Sequence, residues 1–242
     1  MIAIKIENLT KQYKDVTAVD GLLLEIEAGE LFSLLGVNGA GKTTTIKMLS
    51  CLTVPTSGDA TVLGESITKN PAAVKANIGV SPQETAVAAG LTVRENLELI
   101  CGIYGFDKKK TAEKVASLSA ILSLESVLNK KASKLSGGYA RRLSIAMALI
   151  SEPKVLFLDE PTLGLDVLAR SELWDIIRSL KGKVTIILTT HYMEEAEALS
   201  DRIAIMKDGA LLACDTPDAI KLHTGEESIE KAFIKIVRGT EK

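Results

Sequence analysis

Short apolar runs rich in β-branched residues alternate along the chain with segments whose apolar positions recur every three or four residues. Leu31-Phe32-Ser33-Leu34-Leu35, Asn77-Ile78-Gly79-Val80, Val155-Leu156-Phe157-Leu158 and Val184-Thr185-Ile186-Ile187-Leu188 are too continuously apolar to have one wet face. They predict strands buried on both faces, as in a parallel sheet covered by helices. Between the last two, Leu173, Ile176, Ile177 and Leu180 recur at i, i+3, i+4 and i+7, which makes a strand, helix, strand unit. At the N-terminus, Ile2 to Glu7 alternates apolar and mostly polar positions like a half-buried strand. Ile203 to Met206, the turn Lys207-Asp208-Gly209-Ala210 and Leu211-Leu212 predict a hairpin, because Asp-Gly supplies the positive φ of a tight turn. The expected class is α/β, a mostly parallel sheet with a small antiparallel β part.

From Gln83 to Ile150 only helical periodicity is found, at Val115, Leu118 and Leu122 and again at Leu143, Met147 and Ile150. This predicts an inserted helical subdomain over about 84–150; a helical tail is expected over about 215–242. No internal repeat, low-complexity tract or Pro- or Ser-rich linker divides the chain, so residues 1–242 are expected to form a single domain.

Composition narrows the class of function by exclusion. The chain has 242 residues, 46% hydrophobic and 25% charged, which is the usage of an ordinary globular protein and not of a disordered or collagen-like one. Lys and Arg total 29 against 31 Asp and Glu, so no global positive field would hold the chain to a polyanion, and no nucleic-acid partner is expected. Cys51, Cys101 and Cys214 are far apart and lack CxxC spacing, which argues against a disulfide framework or a thiolate zinc site and favours a reducing, cytoplasmic compartment. The chain opens into a strand pattern instead of a basic segment with an apolar core, so no export signal is expected. Nor does any apolar stretch approach the roughly 20 residues of a membrane span, so contact with a membrane is expected only through a partner. The run Asp107-Lys108-Lys109-Lys110 reads as a solvated turn.

The chemistry begins at Gly36-Val37-Asn38-Gly39-Ala40-Gly41-Lys42-Thr43, which satisfies GxxxxGK[ST] between the strand Leu31–Leu35 and the helical stretch Thr44 to Leu49. Gly36, Gly39 and Gly41 let the backbone curl so that the amides of Asn38 and Ala40 and the helix start at Thr44 point at a β-phosphate. Lys42 can reach the β and γ oxygens and Thr43 can ligate Mg²⁺. A second acidic site is needed for the metal. Val155 to Leu158 ends in Asp159-Glu160, two carboxylates at a strand end, where Asp159 would hold Mg²⁺ and Glu160 would polarise a water for in-line attack on the γ-phosphate. Alone, such a pair could equally be a solvated strand end. Together with Lys42 and Thr43 on one sheet edge it reads as a P-loop NTPase core.

Leu135-Ser136-Gly137-Gly138-Tyr139 closely resembles the LSGGQ signature of ABC ATPases and precedes Asp159 at the interval that family would have. Taken by itself, Ser136 could be an ordinary N-cap. As an anion-binding helix start separate from the P-loop, however, Ser136 with Gly137 and Gly138 is best explained as serving a neighbouring subunit's nucleotide. The resemblance extends over nearly the whole chain. It implies that Tyr13 stacks on adenine, that Gln83 is the Q-loop residue acting in catalysis and at the metal, that Asp166 after Leu165 is the D-loop residue at the nucleotide and that His191 is the H-loop switch. Separately, Tyr13 and Gln83 could be packing or surface residues, Asp166 an N-cap and His191 a satisfied polar residue at a strand end. The departure is Tyr139, where the family usually has glutamine. Contact with phosphate falls in the family to Ser136 and the glycine amides, which are intact.

What the resemblance implies is a Mg²⁺-dependent ATPase subunit that dimerises head to tail, as a homodimer or with a paired ATPase subunit, with ATP at the interface. It would power separate transmembrane permease subunits from the cytoplasmic face of the cell membrane. Thr190 to Glu197 and Ser228 to Phe233 are most similar to ATPases of the multidrug, antibiotic-resistance and sodium-export type, so an exporter is expected. The alternatives are a non-transport ABC ATPase and a regulatory module that binds ATP without turnover. Chromosome-maintenance or repair ATPases would need coiled-coil arms between Gln83 and Leu135, where no sustained heptads occur, and translation factors would need a second cassette. A GTPase would lack its NKxD motif. The uncharged stretch Ala86-Val87-Ala88-Ala89-Gly90-Leu91 is expected either to dock a membrane partner within Glu84 to Gly105 or to be buried in the helical subdomain.

Overall fold

The structure is a computed structural model that describes residues 1–239; the last three residues of the expected helical tail lie outside the described residues. In chain order the elements are β1 (Ile2–Tyr13), β2 (Val16–Glu27), β3 (Leu31–Leu35), α1 (Lys42–Leu49), β4 (Ser57–Val62), β5 (Glu65–Ser66) and α2 (Pro71–Lys75). They continue as β6 (Ile78–Ser81), α3 (Val93–Ile103), α4 (Lys108–Ile121), α5 (Gly137–Leu149), β7 (Val155–Asp159) and α6 (Val167–Leu180). The chain closes with β8 (Thr185–Thr190), α7 (Met193–Leu199), β9 (Arg202–Lys207), β10 (Ala210–Asp215), α8 (Pro217–Thr224) and α9 (Ile229–Gly239). These elements fall into two compact units, one made of residues 1–76 with the described residues from 181 on and the other of residues 77–180.

In the first unit β3 and β8 run parallel with Leu35 opposite Thr190, and β9 runs parallel on the other side of β3 with Leu35 opposite Ile205. Every residue of β3 and of β8 is buried, which is why both read as unbroken apolar runs. β10 returns antiparallel to β9 through the turn at Asp208 and Gly209, both at positive φ as the Asp-Gly pattern demands. A second, antiparallel sheet in the order β2-β1-β4-β5 belongs to the same unit. Its first hairpin is much longer than the alternation of Ile2 to Glu7 alone indicates, and Ile4, Ile6, Leu9, Leu22 and Ile26 are almost wholly buried on its inner face. Helix α9 buries Ile229, Ala232 and Phe233 against Leu35, Ala196, Ile203, Ile205 and Ile220, so the C-terminal helices cap one face of the parallel strands.

In the second unit β6 and β7 form a parallel pair with Ser81 opposite Leu158. Gly79 lets α5 approach closely, since a Cβ there would lie 2.3 Å from the Ala148 carbonyl oxygen. Between Gln83 and Ile150 the described elements are helices α3, α4 and α5 with short 3₁₀ turns at Glu125–Val127 and Ala132–Lys134. Helix α3 opens with a capping box in which Thr92 and Glu95 satisfy each other's backbone N–H groups.

Asn96, fully buried on α3, ties down the loop before it. Its side-chain oxygen accepts from Ala88 N at 2.8 Å, and its amide donates to Ala88 O at 3.1 Å and Thr92 O at 2.9 Å. Asn96→Leu leaves Ala88 N without an acceptor inside the fold, while Ala88 O and Thr92 O keep the N–H groups of Leu91 and Asn96, and it is expected to lower the unfolding free energy by about 1–3 kcal/mol. Urea denaturation of the purified chain checks this through the shift in midpoint.

Candidate functional site

In the first unit the loop Gly36–Gly41 leaves the end of β3 and feeds α1, and its shape depends on glycine at particular points. A Cβ on Gly36 would lie 2.6 Å from Met206 O and one on Gly41 would lie 2.4 Å from Ala18 O, while Gly41 also has φ 100°. Neighbouring strands hold the loop through Gly36 N donating to Thr190 O at 3.4 Å and Gly209 N donating to Ala40 O at 3.2 Å. Lys42 is only 4% exposed, and its ammonium turns back over the loop to donate to Gly36 O at 2.7 Å and Val37 O at 3.1 Å. A positive charge thus sits inside a curl of backbone at a helix start, an arrangement that holds phosphate. Val37, Asn38 and Gly39 are exposed and Thr43 and Thr44 half-buried, so the rim of the curl is open.

His191 leaves the C-terminal end of β8, beside the strand that carries the loop, and its ring lies 4.2 Å from that of Tyr192. Tyr13 closes β1 opposite Val16 with an exposed ring, over which the Lys11 ammonium lies 5.0 Å from the centroid.

The second unit carries the remaining predicted site residues. Asp159 ends β7 and Glu160 follows it, 4% and 8% exposed. Glu160 has φ 46°, a left-handed conformation uncommon for a non-glycine residue and shared here with Glu152 and Asp208 among others. Gln83 follows β6, the parallel neighbour of β7, and is exposed. Ser136 caps α5 by accepting from Tyr139 N at 3.5 Å, and Asp166 accepts from Ala169 N at 2.9 Å at the start of α6. The plainer cap reading of both residues therefore holds alongside any ligand role, because a cap leaves the remaining helix-start amides pointing outward. Gln83, Gly137, Leu163, Gly164 and Leu165 border one hollow of about 400 Å³ with Arg141.

No sequence pattern marks Arg141, a guanidinium 5% exposed that donates to Pro82 O and to Gln83 O, each at 2.6 Å. Burial pushes its pKa down and the nearby Asp159 carboxylate pushes it back up. The only hint in the sequence is a charged residue on a helix that otherwise packs through Leu143, Ile145 and Ala146. Tyr139 lies over a second buried arginine, Arg142, whose guanidinium is 5.4 Å from the ring centroid and pairs with Glu172 of α6. The aromatic in place of glutamine is thus taken up by a cation–π contact with Arg142 in the first turn of α5, while its backbone N–H still donates to the Ser136 cap.

A glycine-curled loop between a buried parallel strand and a helix, with a lysine folded into it, defines a P-loop nucleotide-binding domain. The family described as ABC transporter matches residues 19–163, and the chain belongs to that family as an ATP-binding domain. Nod factor export ATP-binding protein I of Rhizobium sp. strain N33 is 44% identical over 232 residues, which are 95% of this chain and 76% of that protein. The probable multidrug ABC transporter ATP-binding protein YbhF of Escherichia coli K12 is 39% identical over 245 residues, 99% of this chain, which spans 42% of YbhF's length. A solved ATP-binding subunit of an ABC transporter superposes with TM-score 0.85 at 27% identity, covering 97% of this chain and 99% of that one. The dimeric cassette MJ0796, in a post-hydrolysis state with ADP and Pi bound, superposes with TM-score 0.79 at 27% identity over 88% of this chain and 98% of its own.

Substituting the crowded glycine of the loop tests the cradle. Gly41→Ala forces strain at φ 100° and a clash with Ala18 O, and is expected to weaken binding of a fluorescent ATP analogue by at least about tenfold. Gly39→Ala, where nothing lies within 4 Å, should cost less despite its φ of 85°. Equilibrium titration of both variants measures the difference.

Proposed function

We infer that the chain is the ATP-hydrolysing subunit of an exporter in the membrane, working on its cytoplasmic face with separate transmembrane permease subunits. Its partner in hydrolysis is a second copy or a paired ATPase subunit, arranged head to tail. The similarity to export ATP-binding proteins supports the first part, and the dimeric cassette bound to ADP and Pi supports the second. No described helix is long and apolar enough to cross a membrane.

The observation that carries hydrolysis is the strained, buried Glu160 directly after Asp159 at the end of β7. In this reading the loop amides and Lys42 bind the β- and γ-phosphates, and Tyr13 offers its open ring to adenine. Glu160 accepts a hydrogen bond from the attacking water and aligns it with the γ-phosphorus. Gln83 and His191 contact the γ-phosphate side from their strand ends. Ser136 with the amides of Gly137 and Gly138, and Asp166, face the nucleotide of the opposing subunit.

The donor set also suits Mg²⁺. Thr43 hydroxyl, Asp159 carboxylate and Gln83 amide are hard oxygen donors, and among the described residues no group of three or more His, Cys, Asp or Glu forms a cage of its own. A Mg²⁺ ion in nucleotide sites takes one or two protein oxygens and completes its shell with phosphate and water. When bound there, it neutralises charge across the β- and γ-phosphates.

For the permease contact, the uncharged loop is less open than its composition indicates. Val87 and Leu91 are half-buried, held near Asn96, whereas helix α3 exposes Leu99 at 47% and Ile103 at 71%, four residues apart on one face, followed by Tyr104 at 47%. This face is the better candidate for a coupling element of the permease, as an exposed apolar strip on a helix favours a partner surface.

Glu160→Gln keeps the size of the side chain and removes its basicity, so turnover is expected to fall by about a hundredfold or more while ATP binding persists. Phosphate release measured beside nucleotide titration checks both halves; wild-type turnover in this variant would overturn the role of Glu160. The docking face is tested by Leu99→Glu combined with Ile103→Glu, expected to leave ATP binding and the melting temperature of the isolated chain unchanged while abolishing co-purification with the permease from membranes. A drop in melting temperature would instead mark the face as core.

A further inference from the structure

The carbonyl groups of Pro82 and Gln83 lie just beyond β6, where the ladder with β7 has ended at Ser81 and Leu158. Both are taken up by one buried side chain of a distant segment: Arg141 of α5 donates its two terminal nitrogens to them, at 2.6 Å each, across 59 and 58 positions of sequence. The fork of a guanidinium suits two neighbouring oxygens in a way that an ammonium does not, because its donors are fixed in one plane. Gln83 is thereby held by its backbone while its side chain stays exposed. Arg141 lies on the same rigid helix that Ser136 caps, within the first two turns, and the Asp159 carboxylate at the end of β7 favours its charged form.

We propose that Arg141 is a positioning residue for hydrolysis, a clamp that makes the backbone of Gln83 move together with the signature end of α5. Any displacement of α5 then passes to Gln83 through two short charge-assisted hydrogen bonds, without requiring the Gln83 side chain to touch the helix. Because Arg141 acts through Gln83, its loss lowers the rate of the chemical step and spares the affinity for ATP, which belongs to the loop around Lys42. The inference rests on the reading that Gln83 takes part in hydrolysis.

The experiment measures kcat and KM for ATP in the full-length chain for the wild type, Arg141→Met, Arg141→Lys, Gln83→Ala and the double variant Arg141→Met with Gln83→Ala. Arg141→Met is expected to lower kcat by about ten- to a hundredfold with KM changed by less than about twofold. Arg141→Lys, with a single donor centre, should fall between it and the wild type. The double variant should be no slower than Gln83→Ala alone, since both substitutions remove one and the same contribution. A merely structural arginine would give losses that multiply in the double variant, and that result overturns the proposal. Wild-type kcat in Arg141→Met overturns it too; if that variant fails to fold by circular dichroism, wild-type kcat in Arg141→Lys does so instead. Wild-type turnover in Gln83→Ala removes the underlying reading of Gln83 and the inference with it. Slow turnover in Gln83→Ala beside wild-type Arg141→Met defeats the inference alone.

Discussion

A buried ammonium governs the first unit. Lys42, 4% exposed, keeps its ammonium inside the fold with Gly36 O and Val37 O turned inward to receive it, and they turn inward where the chain curls through Gly36, Gly39 and Gly41. The curl in turn needs fixed walls: Ala18 on β2, Met206 on β9 and the tip of the β9 to β10 turn at Gly209. Parallel strands with both faces buried provide that rigidity, and the antiparallel hairpin supplies the remaining wall. In the proposed function the same charge that organises the loop attracts a polyphosphate.

In the second unit the organising requirement is the satisfaction of backbone and charge at the ends of two short parallel strands. β6 and β7 stop at Ser81 and Asp159, leaving carbonyl groups and carboxylates where the sheet no longer pairs them. Arg141 answers both needs, its donors taken by Pro82 O and Gln83 O and its charge set beside Asp159. Glu160 is held in a left-handed conformation at the same place. The helical segment between the strands therefore supplies more than bulk, since its last helix closes the ends of the strands that carry the acidic pair.

Much of this was legible in the chain itself. β3 is found at Leu31–Leu35 as the apolar run predicts, and β7 and β8 extend the predicted runs by one or two residues toward their polar ends. The absence of strands across the Gln83 to Ile150 stretch, among the described residues, matches its helical periodicity. The small antiparallel part is present as expected, with β1 where Ile2 to Glu7 alternates, but its third strand has no local signal. β4, with the sequence Ser-Gly-Asp-Ala-Thr-Val, has little intrinsic preference for a strand, and becomes one by pairing with β1, Ile4 opposite Val62 and Ile6 opposite Ala60. The uncharged loop Ala86–Leu91 was ambiguous for a related reason: its apolarity is compatible with either exposure or burial, and the contact that decides, the Asn96 amide on Ala88, comes from the next helix.

The sequence by itself determined the glycine-curled loop, the acidic pair, the cap at Ser136 and the alternation of the parallel strands with helices, because each depends on the residues within a few positions of itself. Only the tertiary structure decided which backbone groups needed a partner and which side chain would supply it. Arg141 is marked by no sequence pattern, and is a buried clamp because the fold brings to it two carbonyl groups nearly sixty residues away. Local patterns fix conformation, whereas the burial of a charge is fixed by the groups that distant segments happen to present, and no local pattern encodes those.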